Sequence, residues 1–462
     1  MNRLIVISNR VNPPTDPSVA TSGGLAMALA AALREYSGIW FGWSGETAET
    51  YTGQLSIDRI GGVTVATIDL DEQDRQEYYN GYANKTLWPL FHYRTDLTAY
   101  ERSFGVGYER VNGRFAQGVR PLIEADDLVW VHDYHLLLLA QELRRLGVKN
   151  RIGFFLHIPW PGRRTFTTLP KHRQLVEALL DYDLIGFQTE DSCDAFADYV
   201  VHTLGGTVSE DGVVQARGKT TRIGAFPIGI DAEAFDAAVR SPAAESYRER
   251  MRVSAAGRKT ILGVDRLDYS KGLEERFLAY EQLLTDHPEL HEHVLMLQIA
   301  ILSREEVDAY QDLRERLDTV SGRINGAFAS VDWVPLRYVN RPYRRDELAG
   351  IYRAADIGLV TPLRDGMNLV AKEYVAAQDP DDPGVLILSE FAGAAPQMPE
   401  ALIVNPVSRE DVAEAIRRGL SMPLEERKAR WEALAKGVRK ENVTAWRDSF
   451  VAVLERPLLT AA

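Results

Sequence analysis

Two segments of the second half carry side chains whose types and spacing suit chemistry on phosphate and sugar groups. In Gly263-Val264-Asp265-Arg266-Leu267-Asp268-Tyr269-Ser270-Lys271-Gly272, two cations follow an apolar run. Arg266 and Lys271 can jointly clamp a diphosphate, whose charge grows as it departs. The plainer alternative is a solvated charge pair on a loop. In Thr361-Pro362-Leu363-Arg364-Asp365-Gly366-Met367-Asn368-Leu369-Val370-Ala371-Lys372-Glu373, a glycine turn leads from a strand end into a helix predicted to begin near Met367. Free amides and the positive dipole end at such a start attract an anion. Asp365 at the loop tip can hold sugar hydroxyls, and Glu373, about two turns in, can reach the ribose of a nucleotide. Taken singly, each acid also suits a helix cap or a solvated position; beside the basic loop they form a constellation.

The first half offers a different set. Ser22-Gly23-Gly24-Leu25 leads into a predicted helix, where paired glycines let backbone amides approach a phosphate or sugar, although the pattern also serves as a plain turn. No G-x-G-x-x-G directly follows a strand, which argues against a dehydrogenase. Asn9 and Arg10 are expected just beyond the first strand, and an arginine there can grip a phosphate bidentately. Tyr78, Tyr79 and Trp88 lie in Glu77–Tyr93, an aromatic segment unusually apolar for a loop, suited to core or to a sugar platform. His132-Asp133-Tyr134-His135 and His157-Ile158-Pro159-Trp160-Pro161 each follow a buried strand, where polar groups can meet ligand hydroxyls. His132, Asp133 and His135 lack further metal-ligand partners at convincing spacing. Asp69-Leu70-Asp71 reads as a solvated strand end, so no metal site is expected.

These residues need rigid elements beneath them. Predicted strands cover Arg3–Ser8, Val63–Ile68, Leu128–His132, Ile152–Leu156, Leu184–Phe187 and Thr221–Phe226, then Thr260–Asp265, Val294–Ala300, Ile357–Thr361, Val385–Leu388 and Leu402–Val404. Helical patterns lie between them, among them Leu25–Arg34, Leu136–Leu146, Glu190–Leu204, Leu273–Thr285 and Arg304–Thr319. Short runs apolar on both faces, alternating with helices, imply an α/β fold of parallel sheets covered by helices. The strand sets separate near Pro227–Asp231, giving two doubly wound domains, 1–231 and 232–462, expected to face each other across a cleft. A last helical stretch, about 431–458, either completes the second domain or crosses back to the first.

Composition narrows the function. Across 462 residues, 66 acidic side chains against 53 basic ones give a net charge of −13, unsuited to sequence-independent nucleic-acid binding. No apolar stretch reaches the roughly 20 residues of a membrane span, and the start is too polar for a signal peptide. The one cysteine, Cys193, suits a reducing compartment. A cytoplasmic location is expected.

The chain resembles the trehalose-6-phosphate synthase family over nearly its whole length, from VISNR at Val6–Arg10 to ALIVNP at Ala401–Pro406. Matching blocks include WFGWSGE (Trp40–Glu46), EYYN (Glu77–Asn80), LWPLFHYR (Leu87–Arg94), HDYHL (His132–Leu136) and GFFLHIPWP (Gly153–Pro161). RLDYSKGLEERFLAYE (Arg266–Glu281), GRING (Gly322–Gly326) and TPLRDGMNLVAKEYVAAQ (Thr361–Gln378) complete the set. The resemblance implies a GT-B fold, two Rossmann-like domains, and a metal-independent, cofactor-free transfer of glucose with retention. The expected donor is UDP-glucose, the acceptor glucose 6-phosphate and the product trehalose 6-phosphate. Arg10, Tyr79, Trp88, Asp133 and Arg304 would hold the acceptor. Gly23, Gly24, Arg266, Lys271, Leu369, Val370 and Glu373 would hold the donor nucleotide and its diphosphate, with Tyr343 against the base. His157 and Asp365 would hold hydroxyls of the transferred glucose, and with Arg266 and Lys271 form the catalytic set.

Two departures from the family pattern bear on the acceptor. Gly162-Arg163-Arg164 follows HIPWP where relatives often carry Ser or Pro and an acid, and Ile301 stands where Pro is common. The basic Gly162–Arg164 segment keeps open a sister synthase acting on glycerol 3-phosphate or a cyclitol phosphate. A catalytically idle sugar-phosphate sensor fits less well, because Arg266, Lys271, Asp365 and Glu373 are all present. Without an Asp-x-Asp-Gly-Thr motif, the product would pass to a separate phosphatase. A homo-oligomer is expected, with small-molecule substrates and neither membrane nor nucleic-acid partners.

Overall fold

In the computed structural model, residues 3–11, 29, 33, 38–60, 62–304 and 306–457 are described. The predicted strands are present, and the sheets they build explain their composition. The first sheet has the order β3-β4-β2-β1-β5-β6-β7-β10-β9-β8. Its strands are β1 Leu4–Arg10, β2 Ile39–Ala48, β3 Ser56–Ile60, β4 Val63–Asp71, β5 Leu128–His132, β6 Ile152–Phe155, β7 Leu184–Phe187, β8 Thr207–Val208, β9 Val213–Ala216 and β10 Lys219–Ala225. Strands β5, β6 and β7 (LVWVH, IGFF, LIGF) are buried along their whole length, as strands covered on both faces must be.

The second sheet is wholly parallel, in the order β13-β12-β11-β14-β15-β16. Here β11 is Lys259–Arg266, β12 Val294–Ile301, β13 Leu336–Val339, β14 Ile357–Val360, β15 Val385–Ser389 and β16 Leu402–Val404. Counted from its own first strand the order is 3-2-1-4-5-6, the doubly wound arrangement whose switch point lies between β11 and β14. In the first sheet the corresponding reversal falls between β1 and β5.

The chain forms two compact units. Among the described residues, one takes everything up to Ile228 together with 444 onward, and the other takes Gly229–Val443. The final stretch is two helices, not one. Leu424–Lys440 belongs to the second unit, and after a break at Glu441 and Asn442 the helix Val443–Leu454 packs on the first sheet. Its Phe450 stacks on Trp130 (4.7 Å) and Trp446 meets the edge of Phe155 (5.1 Å). Gly153 and Gly186 admit Phe450 because a Cβ at either would lie within 2.8 Å of its ring.

Several elements differ from expectation. The first sheet is not purely parallel: β3 runs antiparallel to β4, β9 to β10, and β8 to β9. These edge pieces are short, and β3 is polar and exposed along nearly all of its length, so they lack the apolar run that marks a central strand. The β9–β10 hairpin turns through Arg217 and Gly218, both at positive φ, as a tight two-residue turn demands. Glu77–Tyr93 is not a loop. Helical structure runs from Arg75 to Leu87 and on through Trp88–Phe91, and it is buried on several sides, which removes the one-sided pattern of a surface helix. The helix after β12 begins at Asp308 and not at Arg304.

Candidate functional site

In the first unit, the candidates sit at the carboxyl ends of β1, β5 and β6. Arg10 is the last residue of β1, not a residue beyond it. Its guanidinium lies over the Trp43 ring (5.9 Å) in the space left by Gly45, where a Cβ would fall 2.2 Å from the guanidinium. Gly45 has φ +95°, so glycine is required twice over. The edge of Trp43 meets Tyr79 (5.6 Å), and Tyr79 stacks on His135 (5.9 Å, 13°). One arginine and three rings thus form a continuous stack, of which Arg10 is exposed, Tyr79 half-buried, and Trp43 and His135 buried. Trp88 is buried beneath His92 and Tyr134, with ring centroids 4.2 and 5.6 Å away, so it shapes this region from below.

Asp133 follows β5 in a backbone conformation, φ +76°, ψ 164°, that is essentially reserved for glycine. Its N–H donates to Phe155 O (2.8 Å), and its carboxylate accepts from the His157 backbone N–H (3.3 Å). A side chain kept at that cost indicates a role for the carboxylate. Asp133→Gly relieves the strain and Asp133→Ala does not, while both remove the acid. We expect the glycine variant to be more stable than the alanine variant by about 1 kcal/mol and to melt higher, with turnover equally impaired in both. Equal melting temperatures would remove the strain from the account.

His132 is paired to His157 (Nδ1 to Nε2, 3.1 Å), and in the Asp69-Leu70-Asp71 segment Asp69 accepts from Ser44 while Asp71 caps the amide of Asp74 and pairs with Arg114. Among the described residues no group of three or more His, Cys, Asp or Glu is placed to hold a metal ion. Arg163 of the basic segment is held by Asp198 (2.8 Å), so its charge is already matched by the neighbouring helix. Gly23 and Gly24 lie outside the described residues.

In the second unit, the switch point gathers the donor candidates. Arg266 closes β11, and a single turn at Tyr269–Lys271 carries Lys271. That turn is tied to the segment after β14 by Leu363 N–H donating to Ser270 O (2.8 Å). The Lys271 ammonium pairs with the Asp365 carboxylate, and Asn368 donates to the same carboxylate (3.1 Å). Asp365 is therefore not a solvated loop tip: both members of the pair are mostly buried, at 12% and 14% exposure. Asn368 takes φ +76° and directs the chain into the helix Leu369–Ala377, whose start has no side-chain cap. Leu369 and Val370 thus place first-turn amides beside the Lys271–Asp365 pair.

Glu373 lies one turn further on. Burial raises its carboxyl to about 7 against the opposing pull of Arg345 and of the Tyr352 hydroxyl, which donates to it at 3.3 Å. The Tyr343 ring lies against Tyr247 (5.9 Å) and under Arg341 (4.5 Å). Arg304 sits in the loop after β12 at φ +50° and donates to the buried Asp268 (3.3 Å) and to the Tyr310 hydroxyl. It belongs to the second unit, so the residues expected to hold the acceptor are not confined to the first.

Sequence reasoning passed over the supports. Arg276 is fully buried and binds Asp265 (2.6 Å), Gln298 (2.7 Å) and Thr361 (3.0 Å), joining β11, β12 and the end of β14. Trp43 and Gly45 stand in the WFGWSGE block without an assigned chemistry. An arginine inside an apolar helix face, as in Leu273–Asp286, was the signal for the first of these.

Two Rossmann-type units, one with a cation and a helix start at its switch point, have the build of a GT-B glycosyltransferase, and solved GT-B enzymes match it. The sequence profile described as "Glycosyltransferase family 20" matches residues 3–456, and the chain belongs to that family. A trehalose-6-phosphate synthase of Cronobacter sakazakii (strain ATCC BAA-894) is 49% identical over 456 residues, covering 99% of this chain and 96% of its own. An alpha,alpha-trehalose-phosphate synthase (UDP-forming) from Burkholderia xenovorans, solved in complex with glucose-6-phosphate, is 49% identical with a TM-score of 0.94, covering 98% of this chain and 100% of its own. An E. coli structure bound with UDP-2-fluoro glucose is 46% identical with a TM-score of 0.94, covering 99% and 100%. Among the described residues no helix is long and apolar enough to cross a membrane.

Proposed function

We propose that this glycosyltransferase moves glucose from UDP-glucose onto glucose 6-phosphate with retention, releasing UDP and trehalose 6-phosphate. The observation that carries the reading is the Lys271–Asp365 pair beside the uncapped start of Leu369–Ala377. Fixed positive charge and free amides there suit a departing diphosphate, and a carboxylate within reach suits the hydroxyls of the sugar it leaves. Arg10, with the surface of Trp43, Tyr79 and His135, suits a phosphorylated sugar acceptor.

In this reading the bond between C1 and the diphosphate oxygen breaks as the acceptor hydroxyl approaches the same face. The departing phosphate oxygen takes the hydroxyl proton, and the protein supplies neither nucleophile nor strong base. Its contribution is positioning and electrostatic stabilisation, without a metal. With Arg163 engaged by Asp198, that arginine gives no specific support to another phosphorylated acceptor, which leaves Arg164 as the exposed cation of the segment. The test is a matrix of UDP-, GDP- and ADP-glucose against glucose 6-phosphate, glycerol 3-phosphate and a cyclitol phosphate, with chelator and no added metal. UDP-glucose with glucose 6-phosphate is expected to give the highest kcat/KM; activity abolished by chelator, or a faster acceptor, refutes the reading.

Glu373 adds a pH signature. Ribose hydroxyls donate, so they bind the ionised carboxylate better than the acid. With its carboxyl raised to about 7 by burial, Glu373 becomes ionised as pH rises through neutrality. The donor KM is therefore expected to fall between about pH 6 and pH 8, and Glu373→Gln to show a higher KM, about tenfold, without that fall. A parallel pH profile in the variant would separate Glu373 from the ribose.

A further inference from the structure

Four neighbouring parallel strands, β5, β6, β7 and β10, each deliver one residue near their carboxyl ends: His132, His157, Gln188 and Ile228. Their polar atoms form a chain across the first unit. Ile228 N–H donates to Gln188 Oε1 (2.9 Å), and because a backbone N–H can only donate, the orientation of the Gln188 amide is fixed. Its Nε2, which carries two hydrogens, then faces His157 Nδ1 at 3.4 Å. That nitrogen must be an acceptor, so the His157 proton resides on Nε2 and is donated to His132 Nδ1 (3.1 Å). His132 carries its own proton on Nε2, where no partner meets it among the described residues. The Trp130 ring (4.6 Å) and the Trp446 ring (6.3 Å) lie against the His132 ring.

We infer that Gln188 and His132 are positioning residues that lock His157 in the Nε2–H tautomer, so that its Nδ1 accepts a hydrogen bond from a hydroxyl of the transferred sugar. The inference rests on the reading of His157 as a ligand of that sugar. His132 is fully buried, whereas His157 is partly exposed and is the ring a ligand can meet. The Gln188 contact is at the long edge of hydrogen-bond range, so a sugar hydroxyl is the stronger donor to that lone pair and displaces the amide from it. Burial keeps both rings neutral, holding His157 down to about 3 and His132 well below its ordinary range, so the choice of tautomer and not protonation sets what the site offers.

The lock is read directly from long-range imidazole 1H–15N spectra of the full-length protein, with His157 assigned among nine histidines by the loss of its signals in His157→Asn. The wild type is expected to show the Nε2–H tautomer. Gln188→Glu places a carboxylate oxygen opposite Nδ1, which calls the proton to that nitrogen; turnover is expected to drop about tenfold to a hundredfold, with the acceptor KM unchanged. His132→Leu removes the acceptor for Nε2–H and is expected to give mixed tautomers, and His132→Asn, which retains an acceptor oxygen there, to restore both spectrum and turnover. A wild-type Nδ1–H tautomer, or one unmoved in both Gln188→Glu and His132→Leu, overturns the lock. A shifted tautomer with unchanged turnover and donor KM overturns its tie to the sugar, and with it the reading of His157 as a ligand.

Discussion

Lys271→Ala and Arg266→Ala are each expected to lower turnover by on the order of 100- to 1,000-fold at saturating substrates, while the acceptor KM stays within about threefold. For Lys271 the magnitude follows from where the charge sits. Lys271 is mostly buried and paired to Asp365, so its field acts through protein more than through water. A diphosphate gains charge only as the glycosidic bond stretches, and a fixed ammonium beside helix amides is therefore worth more in the transition state than in the ground state. Lys271→Arg is not a rescue: a planar fork does not reproduce a point charge held by Asp365 while Asn368 binds the same oxygen. Asp365→Asn retains the lysine but unpairs it; its turnover is expected to fall as well, through loss of a sugar ligand. Steady-state kinetics on all four variants decide the matter. Near-normal turnover in both alanine variants would remove the cationic clamp from the mechanism.

The residues of this clamp were legible in the sequence because each lies at the end of a short apolar run, where parallel strands deliver their ligands. β11 and β14 were among the predicted strands, so the positions of Arg266 and Asp365 followed from chain order alone. The pairing of Lys271 with Asp365 did not, because it depends on β11 and β14 being neighbours in a parallel sheet whose strand order reverses between them. The same applies to Arg276, whose partners Asp265, Gln298 and Thr361 come from three different strands or strand ends. Strand β2, which contains the WFGWSGE block, does not read as a strand, since two glycines and a serine interrupt its apolar pattern. Those interruptions are functional: Gly45 is the space that Arg10 fills. The helix Val443–Leu454 shows a further limit. Its apolar face suits any sheet, and only the break at Glu441 and Asn442 sends it to the first.

Arg10→Ala and Arg304→Ala are each expected to raise the KM for glucose 6-phosphate about tenfold to a hundredfold, the worth of a charge-assisted hydrogen bond to phosphate. Their effects on stability should part. Arg10 rests on the face of Trp43 at an exposed strand end, and its loss leaves no buried ion without its counter-charge, so the melting temperature stays near that of the wild type. Arg304 pairs with Asp268, a carboxylate with no exposure that also accepts from the Tyr310 hydroxyl and the Ser270 N–H. Removing one partner of a buried pair leaves the other charge uncompensated, at a cost of about 3 kcal/mol. Arg304→Ala should therefore melt lower as well as bind the acceptor more weakly. Glucose itself separates phosphate recognition from general damage: with no phosphate to grip, both variants should use it as poorly as the wild type does and no worse. If either variant keeps its KM for glucose 6-phosphate, or loses the same factor with glucose, that arginine does not hold the phosphate, and the acceptor must be anchored through the Tyr79, Asp133 and His135 surface alone.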